Sequence, residues 1–356
     1  MIHRTATTWQ AINNKDQQLI GSDHDEGTEK VTCWQEQLQQ TISDPAKLLA
    51  KLNLDAGYLP AAMQAATLFP LRVPLSFVAR MKKGDINDPL LQQVLPVGAE
   101  SIITPGYSTD PVGEQSGDLN GLIHKYHGRV LLMVNGHCAV NCRYCFRRHF
   151  PYEEHKLSRA QWGEVITHIR NDHTISEVIF SGGDPLASND KQLLWLTQQI
   201  ADIPHIQRLR IHTRLPIVIP DRITDECLHW MTSTRLQTIM VLHSNHANEL
   251  NDNALRRNIQ RMRESGITLL NQAVLLKGVN DTVADQAQLS ESLFEAGVLP
   301  YYLHVLDKVQ GSAHFAIDDM TAKELLAGVT ARLSGYLVPK LVREVSEEPS
   351  KTSLMG

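Results

Sequence analysis

The sequence feature that most constrains the fold is an alternation of short apolar runs with longer stretches of helical character, which begins near residue 129. Apolar runs of about four to ten residues that alternate with helices are typical of βαβ units, in which helices connect parallel strands. Six runs fit this description: RVLLMVN (129–135), EVIFS (177–181), RLRIHT (208–213), LQTIMVLH (236–243), ITLLNQAVLL (267–276) and LPYYLHVL (299–306). The candidate helices lie near 158–171, 189–202, 221–233, 249–265, 282–296 and 320–333. Six such units predict an α/β protein with either an open doubly wound sheet or an incomplete barrel.

Polar or glycine-containing clusters follow almost every predicted strand. In chain order they read NGHC, SGGDP, HTR, HSNH, LKGVND and DKVQG. In parallel α/β folds, functional side chains collect beyond the C-terminal ends of the strands. Clusters on six consecutive loops therefore favour one central mouth, as in a barrel, over a single crevice.

Composition limits the classes of function that the chain can have. The formal net charge is -5, which argues against a strongly basic nucleic-acid surface. The N-terminus, MIHRTATTWQAINNKDQQ, has no apolar signal-peptide core. No apolar run approaches the roughly 18 residues needed to span a bilayer. We therefore expect a cytoplasmic protein without a nucleic-acid or membrane partner.

Three of the five cysteines lie in the segment HCAVNCRYCFRR, spaced C-x3-C-x2-C, directly after the first predicted strand. In the reducing cytoplasm such a cluster indicates metal binding or catalysis rather than disulfides. Three thiolates can hold a four-iron cluster and leave one iron free for another ligand. Two alternative interpretations remain: a zinc site with His137 or His149 as the fourth ligand, and three buried thiols without a shared function. Cys33 and Cys227 lack such a context and are interpreted as small apolar residues.

The rest of the chain divides by composition. Residues 1–30 are polar and are predicted to form a loose leader. DPAKLLAKL and FPLRVPLSFVARM indicate helices interrupted by prolines. We expect an N-terminal helical region over 31–120, a barrel over 121–335 and a C-terminal tail over 336–356.

The cysteine motif and several longer motifs resemble the lysine 2,3-aminomutases, a family of radical S-adenosylmethionine (SAM) enzymes. The motifs SGGDPL (181–186), HTRLPIVIP (212–220), NQAVLLKGVND (271–281) and PYYLHVLDKVQGSAHF (300–315) match that family in order and spacing. The short C-terminus with EPSKTSL resembles the branch that makes (R)-β-lysine for the modification of translation elongation factor P. The resemblance implies a partial (β/α)6 radical-SAM barrel with flanking helices over its mouth and a tail that closes the active site.

The resemblance also implies cofactors and partners. The cofactors would be a [4Fe–4S] cluster, SAM and pyridoxal 5′-phosphate. The reaction would convert L-lysine to β-lysine, which the elongation factor P lysylation enzyme would receive. An external donor would supply an electron to the cluster.

Site residues follow from the same resemblance. The cluster ligands would be Cys138, Cys142 and Cys145. The residues that contact SAM would be Tyr144, Gly182, Gly183, Asp184 and Gln272. For Tyr144, packing as an ordinary core aromatic is the alternative.

Lys351, in EPSKTSL, would bind pyridoxal phosphate as a Schiff base. The family carries a glycine-rich run before this lysine, and EVSEEPSK has no glycine, so the chain departs from the family pattern here. The phosphate would be held by Lys125, Arg129 and Arg214. Of these, Arg214 is the best placed, because Arg129 lies at the N-terminal end of its predicted strand.

The substrate residues implied by the resemblance are Arg147, Asp307 and Glu344. The guanidinium fork of Arg147 suits the α-carboxylate, and Asp307 would bind the ε-ammonium. Glu344 stands where the family has a second aspartate. Its side chain is one methylene longer, so a preference for a different substrate remains an alternative.

Three alternatives remain from the sequence. One is a radical SAM enzyme without pyridoxal phosphate. Another is an aminomutase for a different amino acid such as glutamate, against which Asp307 argues. The third is a metal-stabilised binding protein without catalysis, against which the polar clusters on six loops argue.

Overall fold

A sheet whose strand order follows the chain order organises the fold. The computed structural model describes residues 33–115, 119–153, 155, 157–346 and 348–355. The predicted leader, residues 1–30, lies outside the described residues. The nine strands of the sheet are β1 Leu122–Tyr126, β2 Arg129–Asn135, β3 Glu177–Gly182, β4 Arg208–Thr213, β5 Gln237–Leu242, β6 Thr268–Leu275, β7 Leu299–Val305, β8 Lys340–Arg343 and β9 Thr352–Ser353.

The pairing of these strands leaves the barrel open. Strands β2 to β8 pair in parallel, while β1 with β2 and β8 with β9 pair antiparallel. In the described part of the chain β1 and β9 are the two ends of the sheet and do not pair with each other. The six predicted strands are confirmed as β2 to β7, and the fold is the open α/β barrel that the resemblance implied. Strands β1, β8 and β9 were not predicted.

Helices connect the parallel strands and flank them. The α-helices of the described residues are α1 Trp34–Gln39, α2 Pro45–Lys51, α3 Leu59–Leu68, α4 Leu75–Val78, α5 Pro89–Gln92, α6 Arg159–Asn171, α7 Asp190–Ala201, α8 Leu215–Val218, α9 Asp225–Thr232, α10 Asn253–Glu264, α11 Val283–Ala296 and α12 Asp319–Arg332. The longer crossover helices begin at side chains that accept a backbone N–H of the first turn: Ser158, Asn189, Thr224, Asp252, Thr282 and Asp318. These caps pair amides that have no partner inside the helix, which fixes where each crossover starts.

The period of two along each strand separates the core from a central cavity. In β4, Leu209 and Ile211 are fully buried in the main apolar core, whereas Arg208, Arg210 and His212 line a cavity of about 960 Å³. Successive side chains of a strand point to opposite faces. The face of β4 that lines the cavity is therefore polar, and its other face packs into the apolar core.

The N-terminal helical region packs over the loops at the C-terminal strand ends. The guanidinium of Arg80 donates to the carbonyl oxygens of Glu249 (2.6 Å) and Ile217 (2.5 Å). Arg143, in the cysteine segment, donates to the carbonyl oxygen of Phe69 (2.8 Å). These contacts cover the mouth of the barrel, as the resemblance implied. Within the described residues, no helix combines the length and the apolar character that a membrane crossing requires.

Candidate active site

The cysteine loop leaves β2 at Asn135 and packs directly against the loop after β3. The amide of Gly183 donates to the carbonyl oxygen of Asn135 (2.7 Å), and the amide of Asp184 donates to that of His137 (2.9 Å). A Cβ on Gly183 would lie 2.7 Å from the carbonyl oxygen of His137, and Gly182 has a φ of +124°. Both glycines are thus required for the close approach of two backbone segments. Their predicted contact with SAM stays a prediction.

Asp184 joins the same loop to the end of β4. Its buried carboxylate accepts hydrogen bonds from the hydroxyl of Thr213 (2.7 Å) and from the amides of Arg214 (2.8 Å), Leu215 (2.9 Å) and Leu186 (3.0 Å). Both carboxylate oxygens are therefore engaged by the protein. Asp184 fixes the loop and the start of α8, and its predicted contact with SAM stays a prediction.

Arg214 lies against the cysteine loop. Its Nη1 is 2.8 Å from Sγ of Cys142 and also donates to the hydroxyl of Tyr144. Its Nη2 donates to Oε1 of Gln93 (2.7 Å) and to Oε2 of Glu249 (3.0 Å). The buried guanidinium therefore acts as a cation beside a thiol.

This position differs from the expectation that Arg214 contacts the phosphate together with Lys125 and Arg129. Those two cations lie around β1 and the start of β2, where Arg129 stacks over the ring of Tyr126 at 4.5 Å. Arg214 shares no hydrogen-bond partner with them in the described part of the chain. Arg214 lies at the mouth of the barrel, as its position after a strand predicted. At that point of the mouth it contacts the cysteine loop.

Tyr144 belongs to the same buried network. Its hydroxyl accepts a hydrogen bond from Nδ2 of Asn245 (2.7 Å), and its ring meets the edge of Phe315 with centroids 6.4 Å apart. Gln93, Asn245 and Glu249 complete this network and were missed from the sequence. Gln93 and Glu249 are single polar residues with no motif around them, and Asn245 lies in the cluster HSNH, which indicated a functional mouth without a role for its amide.

The two histidines considered as zinc ligands have other surroundings. Nε2 of His149 lies 3.2 Å from the carbonyl oxygen of Gln310, and His137 is exposed. Among the residues that the structure describes, no three His, Cys, Asp or Glu side chains converge as ligands of a single metal ion.

Arg147 pairs with a residue that the sequence did not single out. Its Nε donates to Oε2 of Glu114 (2.7 Å) and its Nη2 to Oε1 of the same carboxylate (3.2 Å). Its Nη1 donates to Oγ of Ser181 (3.0 Å) and to the carbonyl oxygen of Gly182 (3.2 Å). Burial alone would lower the pKa of Arg147, but the Glu114 carboxylate raises it. Glu114 lies in the polar segment DPVGEQ, where no pattern marks it.

Lys351 lies at the other end of the cavity. The pairing of β9 with β8 brings it alongside Glu344, whose Oε2 accepts from Nζ of Lys351 at 2.6 Å. Oε1 of Glu344 accepts from Nζ of Lys125 (3.1 Å) and from the hydroxyl of Tyr126. Burial alone would raise the pKa of Glu344, but these neighbours, Lys351 first, lower it to about 2. The structure thus unites Lys351, Glu344 and Lys125, with Glu344 as their shared anion.

Asp307 lines the cavity beyond the end of β7. Its carboxylate makes no hydrogen bond or ion pair with another described residue. Burial raises the pKa of Asp307 to about 7, against the opposing effect of the Lys351 ammonium. A buried carboxylate without a partner is suited to bind a cation that enters the cavity.

Comparisons with known proteins agree with this geometry. The model of the Radical SAM superfamily matches residues 132–287. The L-lysine 2,3-aminomutase of Escherichia coli (strain K12) is 52% identical over 322 residues, which are 90% of this chain and 94% of that protein. The L-lysine 2,3-aminomutase of Haemophilus influenzae is 49% identical, with the same coverage, and that of Clostridium subterminale is 30% identical over 90% of this chain and 77% of its own length. The chain belongs to the lysine 2,3-aminomutase family.

Radical SAM enzymes of this family carry a four-iron cluster that binds SAM, and the thiols of the cavity fit such a cluster. Cys138, Cys142 and Cys145 all line the cavity wall. Burial raises the pKa of Cys138, and it raises that of Cys145 to about 11, so thiolates there require a neighbouring cation. Thiolates are the ligands that iron–sulfur clusters use. These three residues would hold the cluster in this lysine 2,3-aminomutase family member.

The cavity also fits polar ligands beside the cluster, such as SAM, for which Gln272 is predicted, and pyridoxal phosphate. Nε2 of His212, His243 and His304 and Oε1 of Gln272 are buried and have no hydrogen-bond partner in the described part of the protein. Buried polar atoms are normally paired, so these atoms indicate a ligand rather than an apolar filling. Burial lowers the pKa of all three imidazoles, that of His243 to about 3, so they are neutral. Lys351 would supply the primary amine.

The three histidines were missed as site residues. His212 and His243 lie in the clusters HTR and HSNH, which indicated a functional mouth without a role for either imidazole. His304 lies inside β7. Its signal is a polar residue within an apolar strand, which predicts an inward position but no chemistry.

Proposed function

We propose that this chain is a lysine 2,3-aminomutase that converts L-lysine to β-lysine, in the R form, with pyridoxal phosphate as a second cofactor beside the cluster and SAM. In this proposal the enzyme works in the cytoplasm and takes its electron from an external donor. Its product goes to the enzyme that lysylates elongation factor P. The identity of 52% with the enzyme of Escherichia coli supports the reaction.

One observation carries the proposal: a single cavity is lined by the three-cysteine loop and by Lys351. A radical SAM enzyme without pyridoxal phosphate has no need for a lysine beside a shared carboxylate in that cavity. A metal-stabilised binding protein would not account for the identity of 52% with the L-lysine 2,3-aminomutase of Escherichia coli. The joint presence of both groups favours chemistry that uses two cofactors on one substrate.

The charges along the cavity support L-lysine as that substrate. Arg147 lies near Cys145, and Asp307 lies near Lys351 and Glu344. L-Lysine carries an anionic α-carboxylate and a cationic side chain, which match this order of charges. Glutamate would bring a second anion to Asp307 and Glu344, and like charges in contact cost several kcal/mol, on the order of 10²-fold or more in binding.

When bound, the cofactors would supply the radical and the aldehyde that holds the substrate's amino nitrogen during its migration, and the residues would supply binding and protection. Lys351 would hold pyridoxal phosphate, with Lys125 and Arg129 as cations for its phosphate. Asp307 would hold the ε-ammonium. The helices over the mouth would limit the access of water and stray hydrogen donors to the reacting atoms.

The test is anaerobic reconstitution with iron, sulfide and pyridoxal phosphate, followed by reductant, SAM and L-lysine. We expect β-lysine, identified by chiral chromatography, only when all components are present. Asp307→Asn should raise the half-saturating L-lysine concentration by about 30- to 4000-fold, because it leaves a buried ammonium unpaired. The exposed Asp202→Asn is the matched control and should behave like the parent. Cleavage of SAM without any β-lysine would contradict L-lysine as the substrate.

Two parts of the proposal need separate experiments. Borohydride reduction should attach pyridoxal to Lys351, and peptide mapping of another lysine would contradict that assignment. The purified product, offered to elongation factor P with its lysylation enzyme, should be incorporated. If only α-lysine is incorporated, the proposed destination of the product is wrong.

A further inference from the structure

The guanidinium of Arg147 has almost no free hydrogen-bonding capacity. A guanidinium has five N–H groups. Glu114 takes two of them in a forked pair, and Ser181 and Gly182 take two more. One N–H remains, whereas a carboxylate held by a fork needs two. A second carboxylate can bind Arg147 bidentately only if one of these acceptors leaves, and Glu114 is the one whose negative charge the new carboxylate would replace.

Burial explains why Arg147 is paired at all. The side chains of Arg147 and Glu114 are only 8% and 9% exposed. A buried guanidinium without an anion is strongly unfavourable, because little water remains to solvate it. Arg147 therefore needs one carboxylate at all times, from the protein or from a ligand.

The backbone that carries Glu114 is anchored, but its carboxylate is not. The amides of Glu114 and Gln115 donate to the two carboxylate oxygens of Asp110 (3.0 and 3.1 Å), and Nζ of Lys125 donates to the carbonyl oxygen of Val112 (2.7 Å). The Glu114 carboxylate makes hydrogen bonds to Arg147 and to no other described residue. Rotation of the Glu114 side chain would therefore release Arg147 without breaking these backbone contacts.

We propose that Glu114 is an internal competitor for the α-carboxylate of the substrate, and that the two carboxylates exchange on Arg147 when L-lysine binds. The inference rests on the proposed function, which brings a carboxylate to Arg147. Exchange keeps the buried guanidinium paired throughout. It also makes Glu114 a specificity residue, because an amine without a carboxylate cannot pair with Arg147 and therefore does not displace Glu114.

The test is an equilibrium titration of the protein loaded with pyridoxal phosphate, without SAM and without turnover. The visible absorbance of the cofactor reports binding of L-lysine and of L-lysinamide, whose amide replaces the carboxylate. Glu114→Gln should lower the half-saturating L-lysine concentration about tenfold, because the amide competes weakly for the guanidinium. The value for L-lysinamide should stay within about twofold of the parent value, because no carboxylate exchange is involved.

Asp190→Asn is the matched control. Asp190 forms a comparable pair with the buried Arg222 (2.7 Å) outside the cavity lining, so the same change of charge should leave both titrations unaltered. A crystal structure of the parent with pyridoxal phosphate and L-lysine should show the Glu114 carboxylate out of hydrogen-bonding distance of Arg147. This measurement decides the matter even if Glu114→Gln does not fold.

Three results would overturn the inference. Weaker L-lysine binding in Glu114→Gln would make Glu114 a residue that positions Arg147 for the substrate. Equal shifts for L-lysine and L-lysinamide would show a general effect on the cavity. Glu114 still paired with Arg147 in the lysine complex would exclude the exchange. If the parent gives no response to L-lysine at all, the proposed function fails and the inference fails with it.

Discussion

The cysteine end and the Lys351 end of the cavity differ in what holds their functional side chains. At the cysteine end, Asp184 accepts four hydrogen bonds and Arg214 donates to four groups, all in a buried setting. At the other end, β9 pairs with β8 through two residue pairs, and Lys351 forms an ion pair with Glu344 and lies over the ring of Tyr302 at 5.9 Å. The first end is fixed by a redundant buried network, and the second by a small set of charges.

This difference corresponds to what each end does in the proposed reaction. A redox centre is served by surroundings that do not move, which buried and fully paired networks provide. Lys351 must change its bonding partner in each cycle, so a tail held by few contacts is suitable, since such regions open most easily. The comparison predicts that changes at the cysteine end act on stability and on iron, and that changes at the Lys351 end act on the tail and respond to pH and salt.

The largest effect is expected from the cysteines. Changing Cys142 to Ala should abolish iron retention and reductive cleavage of SAM, because three thiolates are the minimum set for the cluster. The same holds for Cys138 and Cys145. We expect about four irons per parent chain after anaerobic reconstitution, measured by iron analysis and electron paramagnetic resonance.

Cys33→Ala is the control for these variants, because Cys33 is exposed and far from the motif in sequence. It should retain the iron of the parent. A single tightly bound zinc in the parent, with no iron, would contradict the cluster.

The next effect tests the network of the cysteine end. Asp184→Asn should lower the free energy of unfolding by about 3 kcal/mol, because an amide nitrogen would face the backbone N–H groups of Arg214 and Leu215. Urea unfolding measures this. Asp172→Asn, whose exposed carboxylate bonds its own neighbour Thr174, should leave the unfolding midpoint nearly unchanged. Equal midpoints for the two variants would show that the network does not stabilise this end.

The barrel could be predicted from the sequence because its strands are marked locally. Each strand from β2 to β7 has six to eight residues and alternates with a helix, and this repeat marks all six, including β4 with its charged side chains. Strand β1, LIHKY, has five residues, strand β8, KLVR, has four, and β9 has two, so they are too short to stand out. These three are strands because of the partners they meet after folding, and such tertiary pairing leaves no local signal.

The candidate site divides in the same way. The thiols and Lys351 belong to motifs and could be placed from the resemblance. Glu114 could not, since its role depends on Arg147, a residue 33 positions away that faces it only in the folded chain. Arg214 was assigned to the mouth correctly, but its partners come from three separate segments of the chain, which no spacing in the sequence brings together.

A smaller effect is expected at the Lys351 end. Glu344→Gln should release the tail, because Lys351 and Lys125 lose their shared anion, which corresponds to about 1 to 2 kcal/mol for partly buried pairs. Trypsin cleavage after Lys351, followed by mass spectrometry, should become several-fold faster. In the parent the same cleavage should accelerate with salt, since the pair is 11% to 22% exposed and is partly screened.

Asp225→Asn is the control for the tail. It removes a surface pair with Arg261 and should not change cleavage after Lys351. Unchanged cleavage in Glu344→Gln would mean that β9 pairing alone holds the tail, and the contrast between the two ends would lose its basis.

The smallest effect is the pH dependence of stability that Asp307 causes. It distinguishes Asp307 from Glu344, the other carboxylate at the Lys351 end of the cavity. Burial raises the pKa of Asp307 to about 7 in the folded chain, from 3.8. The folded protein therefore keeps a proton that the unfolded chain has lost, so the stability that this group contributes is present below its unfolded pKa and is lost as the pH rises through about 7. Asp307→Asn lacks this titration. Its stability relative to the parent should grow by about 1 kcal/mol between pH 6 and pH 7, measured by urea unfolding of both proteins.

Glu344 has the opposite sign and gives the contrast. Its pKa falls from 4.5 to about 2 in the folded chain, so its contribution is present above its unfolded pKa and disappears only as the pH falls through about 2. The difference between Glu344→Gln and the parent should therefore be flat between pH 6 and pH 7. L-Lysine binding should strengthen over the same interval, because only the ionised form of Asp307 pairs with the ammonium. If the stability of the parent falls with pH while its affinity for L-lysine rises, Asp307 destabilises the fold and serves to bind the ligand. If the stabilities of Asp307→Asn and the parent change with pH in parallel, Asp307 does not have that role.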